Sequence, residues 1–393
     1  MPVDPVKNSP AVLEAARIVA PLIQGAANQI ERDRRLTPEV VDALHEAGLY
    51  RLLLPRWLGG AELDLPTFGA VIEEIAKADA STAWCLCQAS GCSLVAGFLE
   101  REVADELFGQ NPRSVLAWGP GSGRAIVVDG GYRLTGRWSF ASGAHHSTWL
   151  GGFAAILQAD GSPRLSPGGS PEKATLIFPT GDATFVDTWQ VSGLQGTGSD
   201  TFAVEDLFVP SRWIVRRDDQ SLRREPGTLY RFPSNQIFAT GFSSVALGIA
   251  RTVVDAFIDL ARTKTPYGLA GPLRENAVVQ SQVAQAEAQV RAGRAYRNQT
   301  VADVWEAVSR TGELSLDQRV AVRLAATHAI HLAMQAVDLS YHLAGSSAIL
   351  TANPFERRFR DIHAVTQQVQ GRHAHYENVG RFLFGLEVGE TWL

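Results

Sequence analysis

The side chains able to do chemistry fall into a few groups. Cys85, Cys87 and Cys92 share one apolar stretch. A C-x-C pair with a third thiol could hold a metal or cycle a disulfide. No histidine is near them in sequence, however, and Leu86, Leu94 and Val95 surround them, so they read as small buried hydrophobes. Histidines, which titrate near neutrality, occur as the doublet His145-His146, as His363 and as the pair His373-x-His375. On a strand the doublet would point to opposite faces. The pair lacks further ligands at a familiar spacing, so no metal site is expected. The glycines of Gly119-Pro120-Gly121-Ser122-Gly123 would let a ligand approach the backbone closely, although a plain loop reads the same way. Trp138 and Phe140, two residues apart on a strand, would share a face. They would form an aromatic wall for a flat ring, or an ordinary core face. Arg262 is a planar fork suited to phosphate, or a solvated cation at a helix end.

Three kinds of element must position these groups. The first third reads as helical. Leu36-Thr37-Pro38-Glu39 is a helix start, with Thr37 as cap and Pro38 in the first turn, and a second helix begins near Pro66. The stretch from Ser81 to Leu99 looks buried on most sides. The pattern changes near Pro112. Ala125–Val128, the turn Asp129-Gly130-Gly131 and Tyr132–Phe140 read as a hairpin. Trp149–Leu157, Ala174–Phe178, Phe185–Trp189 and Phe202–Phe208 read as further strands of a small antiparallel barrel or sandwich. Arg212–Pro226 reads as a charged connector. Asn235–Thr265, Leu273–Val308, Ser315–Leu343 and Asp361–Phe384 then read as long, Ala-rich helices of an antiparallel bundle.

The fold class expected is α+β, mostly α, with a helical domain over 1–112, a β-domain over 113–226 and a four-helix bundle over 227–393. A chain of 393 residues exceeds what one core usually fills. Its 45% apolar content is that of a globular protein. A net charge of −5 and a pI near 6.0 give no attraction to phosphate backbones, so nucleic acid is not an expected partner. No uninterrupted apolar run looks long enough for a membrane. Phe238–Ala250 is short and broken by Gly and Ser. The N-terminus lacks the basic start and apolar run of a signal peptide, and three cysteines build no secreted framework, so a cytoplasmic location is expected.

The order of helices, β-domain and bundle, with four motifs in sequence, resembles the acyl-CoA dehydrogenase superfamily. The first motif is the loop from Trp118 to Gly123 before the GGYRLTGRW hairpin, and the second is GLQGTGSDTFAVEDLFVP, Gly193 to Pro210. The third is Arg262-Thr263-Lys264-Thr265-Pro266-Tyr267-Gly268. The fourth is His342-Leu343-Ala344-Gly345-Ser346 followed by Pro354-Phe355-Glu356-Arg357-Arg358-Phe359-Arg360-Asp361. Gly136-Arg137-Trp138-Ser139-Phe140-Ala141-Ser142-Gly143 further resembles the W-x-F-x-S-G segment of the family's flavin-dependent monooxygenases. That branch includes two-component aromatic hydroxylases and dibenzothiophene monooxygenases.

The resemblance implies reduced FMN or FAD from a separate reductase, O2 as co-substrate, a flavin hydroperoxide, a small and mostly apolar substrate, and a homotetramer. The alternative is an FAD-dependent dehydrogenase or oxidase acting directly on its substrate. Trp118, Ser122, Trp138, Phe140, Ser142, Arg262, Tyr267, Gly345, Ser346 and Gln368 are the residues implied at the flavin. Ser142 would hydrogen-bond the central-ring nitrogen. A dehydrogenase needs a carboxylate base, yet neither Ala364–Gln370 nor Ile237–Ile249 contains an acid. The hydroxylases often place a histidine where Gln368 stands, and an amide is no base. Either the substrate needs no deprotonation, or a histidine such as His363 or His146 serves. Gln368 would then orient flavin or substrate. Residues between Trp84 and Leu99, and those near His145, should line the substrate pocket.

Overall fold

The computed structural model describes residues 5–166, 168–268 and 270–389. The chain opens with α1 (Pro5–Asp33) and α2 (Pro38–Glu46). Thr37 caps α2 by accepting a hydrogen bond from the Val40 N–H, and Pro38 occupies the first turn, as the sequence suggests. Asp64 and Asp79 cap α3 (Leu65–Ala78) and α4 (Ala80–Ser93), accepting from Thr67 and Thr82 N–H at 2.7 Å. Nearly every residue of α4 is buried, because its Ala, Ser and Cys side chains let other elements approach from all sides. All three cysteines are buried there, and burial raises their thiol pKa values. α5 (Arg101–Phe108) leads to the sheet.

The strands are β1 (Leu116–Trp118), β2 (Gly121–Val128), β3 (Gly131–Trp138), β4 (Trp149–Leu157), β5 (Lys173–Pro179), β6 (Thr184–Val186), β7 (Thr201–Pro210) and β8 (Ile214–Val215). Their order is β6-β7-β3-β2-β4-β5-β8, with β1 beside β4. Most pairs are antiparallel, as expected, while β4 runs parallel to both β1 and β2. Trp138 has no exposure and packs on Phe178 and Phe202 of β5 and β7. Its indole N–H donates to Phe153 O at 3.0 Å. Gly123, Gly136 and Gly152 crowd its ring, where any Cβ would approach within 2.8 Å.

The remaining helices are α6 (Ser234–Thr263), α7 (Ala277–Thr311), α8 (Leu316–Ala344), α9 (Phe355–Gln367) and α10 (Ala374–Leu383). One hydrophobic cluster joins α1, α3 and α4 to α6, α7 and α8. By length and composition α6 could cross a membrane (mean hydropathy 1.6), which corrects the expectation from the sequence. Most of it is buried inside the protein. The final helix expected over Asp361–Phe384 is broken. α9 stops at Gln367, and Gln368 is extended with its side-chain oxygen accepting from Gln370 N–H at 2.7 Å. At Gly371 the chain folds back so closely that a Cβ would lie 3.1 Å from Thr366.

Candidate active site

A cavity of about 960 Å³ opens where α4, the sheet, α6 and α9 meet. Trp84 and Gln88 of α4 line it, with Phe238 and Phe242 of α6, Trp118 of β1, residues 191–194 and the stretch Gln367–Gln370 at and after the end of α9. Trp84 stacks on Phe242 with centroids 3.9 Å apart, and Phe242 lies nearly parallel to Phe238.

Ser142 is buried at this cavity and is held by a chain of hydroxyls. Its Oγ accepts from Trp84 Nε1 at 3.0 Å and lies 2.7 Å from Ser199 Oγ. Ser199 Oγ lies 2.6 Å from Thr197 Oγ1, which donates to Leu194 O at 2.9 Å. Each hydroxyl has one proton. With the Thr197 proton on Leu194 O, the Ser199 proton must go to Thr197, and the Ser142 proton to Ser199. Ser142 therefore has one lone pair left for the cavity and no proton: it is an acceptor for a ligand N–H.

Three non-glycine residues on the lining have left-handed backbone, Phe140 (φ 55°), Leu194 (φ 53°) and Asp218 (φ 64°), strain of a kind that collects at functional sites. Leu194 N–H donates to Asp361 Oδ1 at 2.7 Å, which ties the loop to α9. Burial pushes the Asp361 carboxyl up to about 7, opposed by that hydrogen bond.

Of the residues expected at the site, Trp118, Phe140, Ser142 and Gln368 line the cavity. Trp138 does not, which corrects its assignment to a flavin wall. Strand β3 ends at Trp138 and the positive φ at Phe140 turns the chain, so the two rings do not share a face. Phe140 is 62% exposed and meets Trp189 edge-on. His146 is not on the lining either. It is buried beneath Gly143 and near the Tyr50 ring, and burial lowers its pKa to about 3. His363 pairs with Asp338 at 2.9 Å and His145 with Asp200 at 2.7 Å, both off the lining. Ser122 is exposed on β2. Arg262 pairs with Asp259, Tyr267 is fully exposed, and Gly345 and Ser346 lie in an exposed turn. None of these reaches the cavity of the single chain. The sequence reading gave no site role to Phe238, Phe242, Trp189, Thr197, Ser199 or Arg217; Thr197 and Ser199 stand inside the second motif, and nothing local marks the other four.

The geometry thus defines an α-helical and β-sheet scaffold around an aromatic cleft that presents one serine acceptor. The acyl-CoA dehydrogenase N-terminal domain family matches residues 12–106, and the acyl-CoA dehydrogenase C-terminal domain family matches residues 240–372. An indole-3-acetate monooxygenase of Pseudomonas putida is 31% identical, over 91% of this chain and 89% of its own. The oxygenase component of an FADH2-dependent resorcinol hydroxylase of Rhizobium sp. is 28% identical, over 98% and 97%. The crystal structure of the 3-HSA hydroxylase of Rhodococcus sp. RHA1 superimposes with a TM-score of 0.88 at 25% identity, covering 97% of this chain and 99% of that one. The chain belongs to the acyl-CoA dehydrogenase superfamily. Within it, the chain is a flavin-dependent monooxygenase, the oxygenase of a two-component system that uses reduced flavin and O2.

The residues present fit a flavin. Phe140 and Trp189 offer aromatic surface to a flat ring system, and Ser142 offers an acceptor to a ring N–H. Residues 191–194 and Gln368 complete the residues that would hold it.

Proposed function

We propose that the substrate is an electron-rich aromatic compound, best an indole-like heterocycle, that is oxygenated without being deprotonated by the protein. One observation carries this reading. Among the described residues lining the cavity there is no histidine, and the carboxylate present, Asp218, is occupied by the N–H and hydroxyl of Ser234 at 2.7 Å each. No side chain there is placed as a general base. A ring whose own nitrogen lone pair supplies electron density needs none. A phenol needing deprotonation, or a thioester needing loss of an α-proton, would lack a partner. Reduced flavin supplies the electrons and activates O2. The protein's part is to exclude water with Trp84, Phe238 and Phe242 and to accept a flavin N–H at Ser142.

Indole-3-acetate, the substrate in one relative's name, is the first compound to try. The chain, a flavin reductase, NADH, FMN or FAD, and 18O2 should give a product carrying one labelled oxygen. A chain purified with tight FAD that an acyl-CoA thioester bleaches without O2 would overturn the assignment. The same assay, run with each flavin, chooses between FMN and FAD. The exposed Tyr267, Ile349 and Leu350 support assembly as a homotetramer, for which chromatography with light scattering is the check. We take the location to be cytoplasmic on the same reading; fractionation that finds the chain outside the cytoplasm would reverse it.

A further inference from the structure

Arg217 lies just after β8, in the stretch expected to be a charged connector, and it lines the cavity. Its guanidinium carbon sits 4.5 Å from the centroid of Trp118 and 5.5 Å from that of Phe153. Among the described residues it donates no hydrogen bond, and no carboxylate comes within ion-pair distance. The nearby acids are engaged elsewhere. Asp218 holds Ser234, and Glu172 is held by Arg164 and Arg216. Burial lowers the Arg217 pKa from the usual arginine range, and the charge on Asp218 opposes this only in part. A fork of five donors, partly desolvated and unpaired beside aromatic rings, is costly unless an anion completes it.

We propose that Arg217 binds an anionic group of the substrate, so that the enzyme selects aromatic acids over their neutral analogues. This rests on the aromatic-substrate reading above and names the substrate class within it. A carboxylate accepts two parallel N–H bonds from a guanidinium, while the substrate ring packs on the same aromatic lining. A neutral amide would leave the arginine unpaired, and sites built around a buried polar group reject analogues that lack its partner. A flavin phosphate carries the same charge. The substrate carboxylate is favoured because Arg217 is stacked among cavity rings. Lys173, exposed on the same lining and without an ion pair among the described residues, is a second cation available to a phosphate, and the FMN and riboflavin arms of the test separate the two sources.

The test is direct binding to the full chain, followed by tryptophan fluorescence and calorimetry. The probes are indole-3-acetate, phenylacetate, their amides, and separately FMN, FAD and riboflavin. The wild type should bind at least one acid about tenfold or more tightly than its amide. Arg217→Gln should cost that acid about tenfold in affinity while leaving the amide and FMN within about twofold. Arg217→Lys should fall between, and it replaces Arg217→Gln if the latter fails to fold. Equal binding of acid and amide, or no binding of any acid, overturns the assignment. So does a variant that loses FMN affinity but not riboflavin affinity, since the arginine would then read the flavin phosphate. Reductase-coupled turnover separates the two readings. Oxygenation of acid and amide alike would sink the role of Arg217 alone, whereas flavin- and O2-dependent oxygenation of neither would sink the aromatic-substrate reading.

Discussion

Ser142 has one proton, and three neighbours decide where it goes. Trp84 can only donate, so it takes one Ser142 lone pair, and Ser199, itself committed to Thr197, takes the proton. Ser199→Ala removes the hydroxyl that accepts the Ser142 proton and frees the Ser142 O–H to turn into the cavity as a donor. The expected result is more wasted reducing power: hydrogen peroxide released per NADH should rise several-fold, up to about tenfold, with stability lowered by about 1 kcal/mol. Peroxide yield unchanged in a folded variant would show that the orientation of Ser142 does not matter. Ser142 itself was legible, because a serine before a glycine closes a recognisable segment after β3. Its partners were not. Trp84 is 58 residues away and Ser199 is 57, and both sit in stretches that look like core and turn. Arg217 was hidden among the charges of Arg212–Pro226.

Elements decide which of the site residues are really core. Trp138 ends β3 inside the sheet, in a space that three glycines leave open for it. Trp138→Ala should therefore cost about 3–5 kcal/mol in chemical denaturation. A conservative Trp138→Phe that still folds should bind FMN with ordinary affinity. Loss of FMN binding in that folded variant would restore the tryptophan to the flavin site. Hydrophobic spacing revealed β2 to β7 and the long helices α6 to α8, because each pattern is local, whereas α1 was not read as a helix. β1 and β8 were missed since each is too short to show a period, and the break after α9 since it depends on Gly371 meeting Thr366. Helix α9 also bears on pH. Asp361, the last residue of the fourth motif, is pushed by burial up to about 7 in the fold, against about 4 in an open chain. Its folded pKa is raised, so its contribution to stability is complete below about pH 4 and fades as pH rises through about 7. Asp361→Asn keeps an oxygen for the Leu194 N–H but cannot ionise. It should flatten the fall in stability between pH 4 and 7, where a single group accounts for at most about 1.4 kcal/mol per pH unit. Identical pH profiles for the two chains would remove Asp361 as the cause.

At the scale of the molecule, the cavity exists only because three groups of elements stay in register: α4 brings Trp84, the segment after β3 brings Ser142, and the chain after α9 brings Gln368. A buried charge cluster fixes the first helices against the bundle. Glu73 of α3 accepts from Arg294 at 2.7 Å and from Arg297 at 3.2 Å, both on α7. Arg297 is 1% exposed, and Gly69 leaves it room, since a Cβ there would lie 2.3 Å from the guanidinium. Burial lowers the Arg297 pKa to about 10, with Glu73 opposing the shift, so the arginine stays charged at neutral pH and depends on that one carboxylate. Glu73→Gln leaves the charge enclosed without a counter-ion and should cost about 3–5 kcal/mol in urea unfolding. Removing both charges is a different perturbation. Glu73→Gln with Arg297→Met eliminates the unpaired cation and lets an apolar chain fill the space beside Gly69. The double variant should therefore be more stable than Glu73→Gln alone. If instead the two losses simply add, the cluster is not coupled, and what holds α3 on α7 is the shared hydrophobic core.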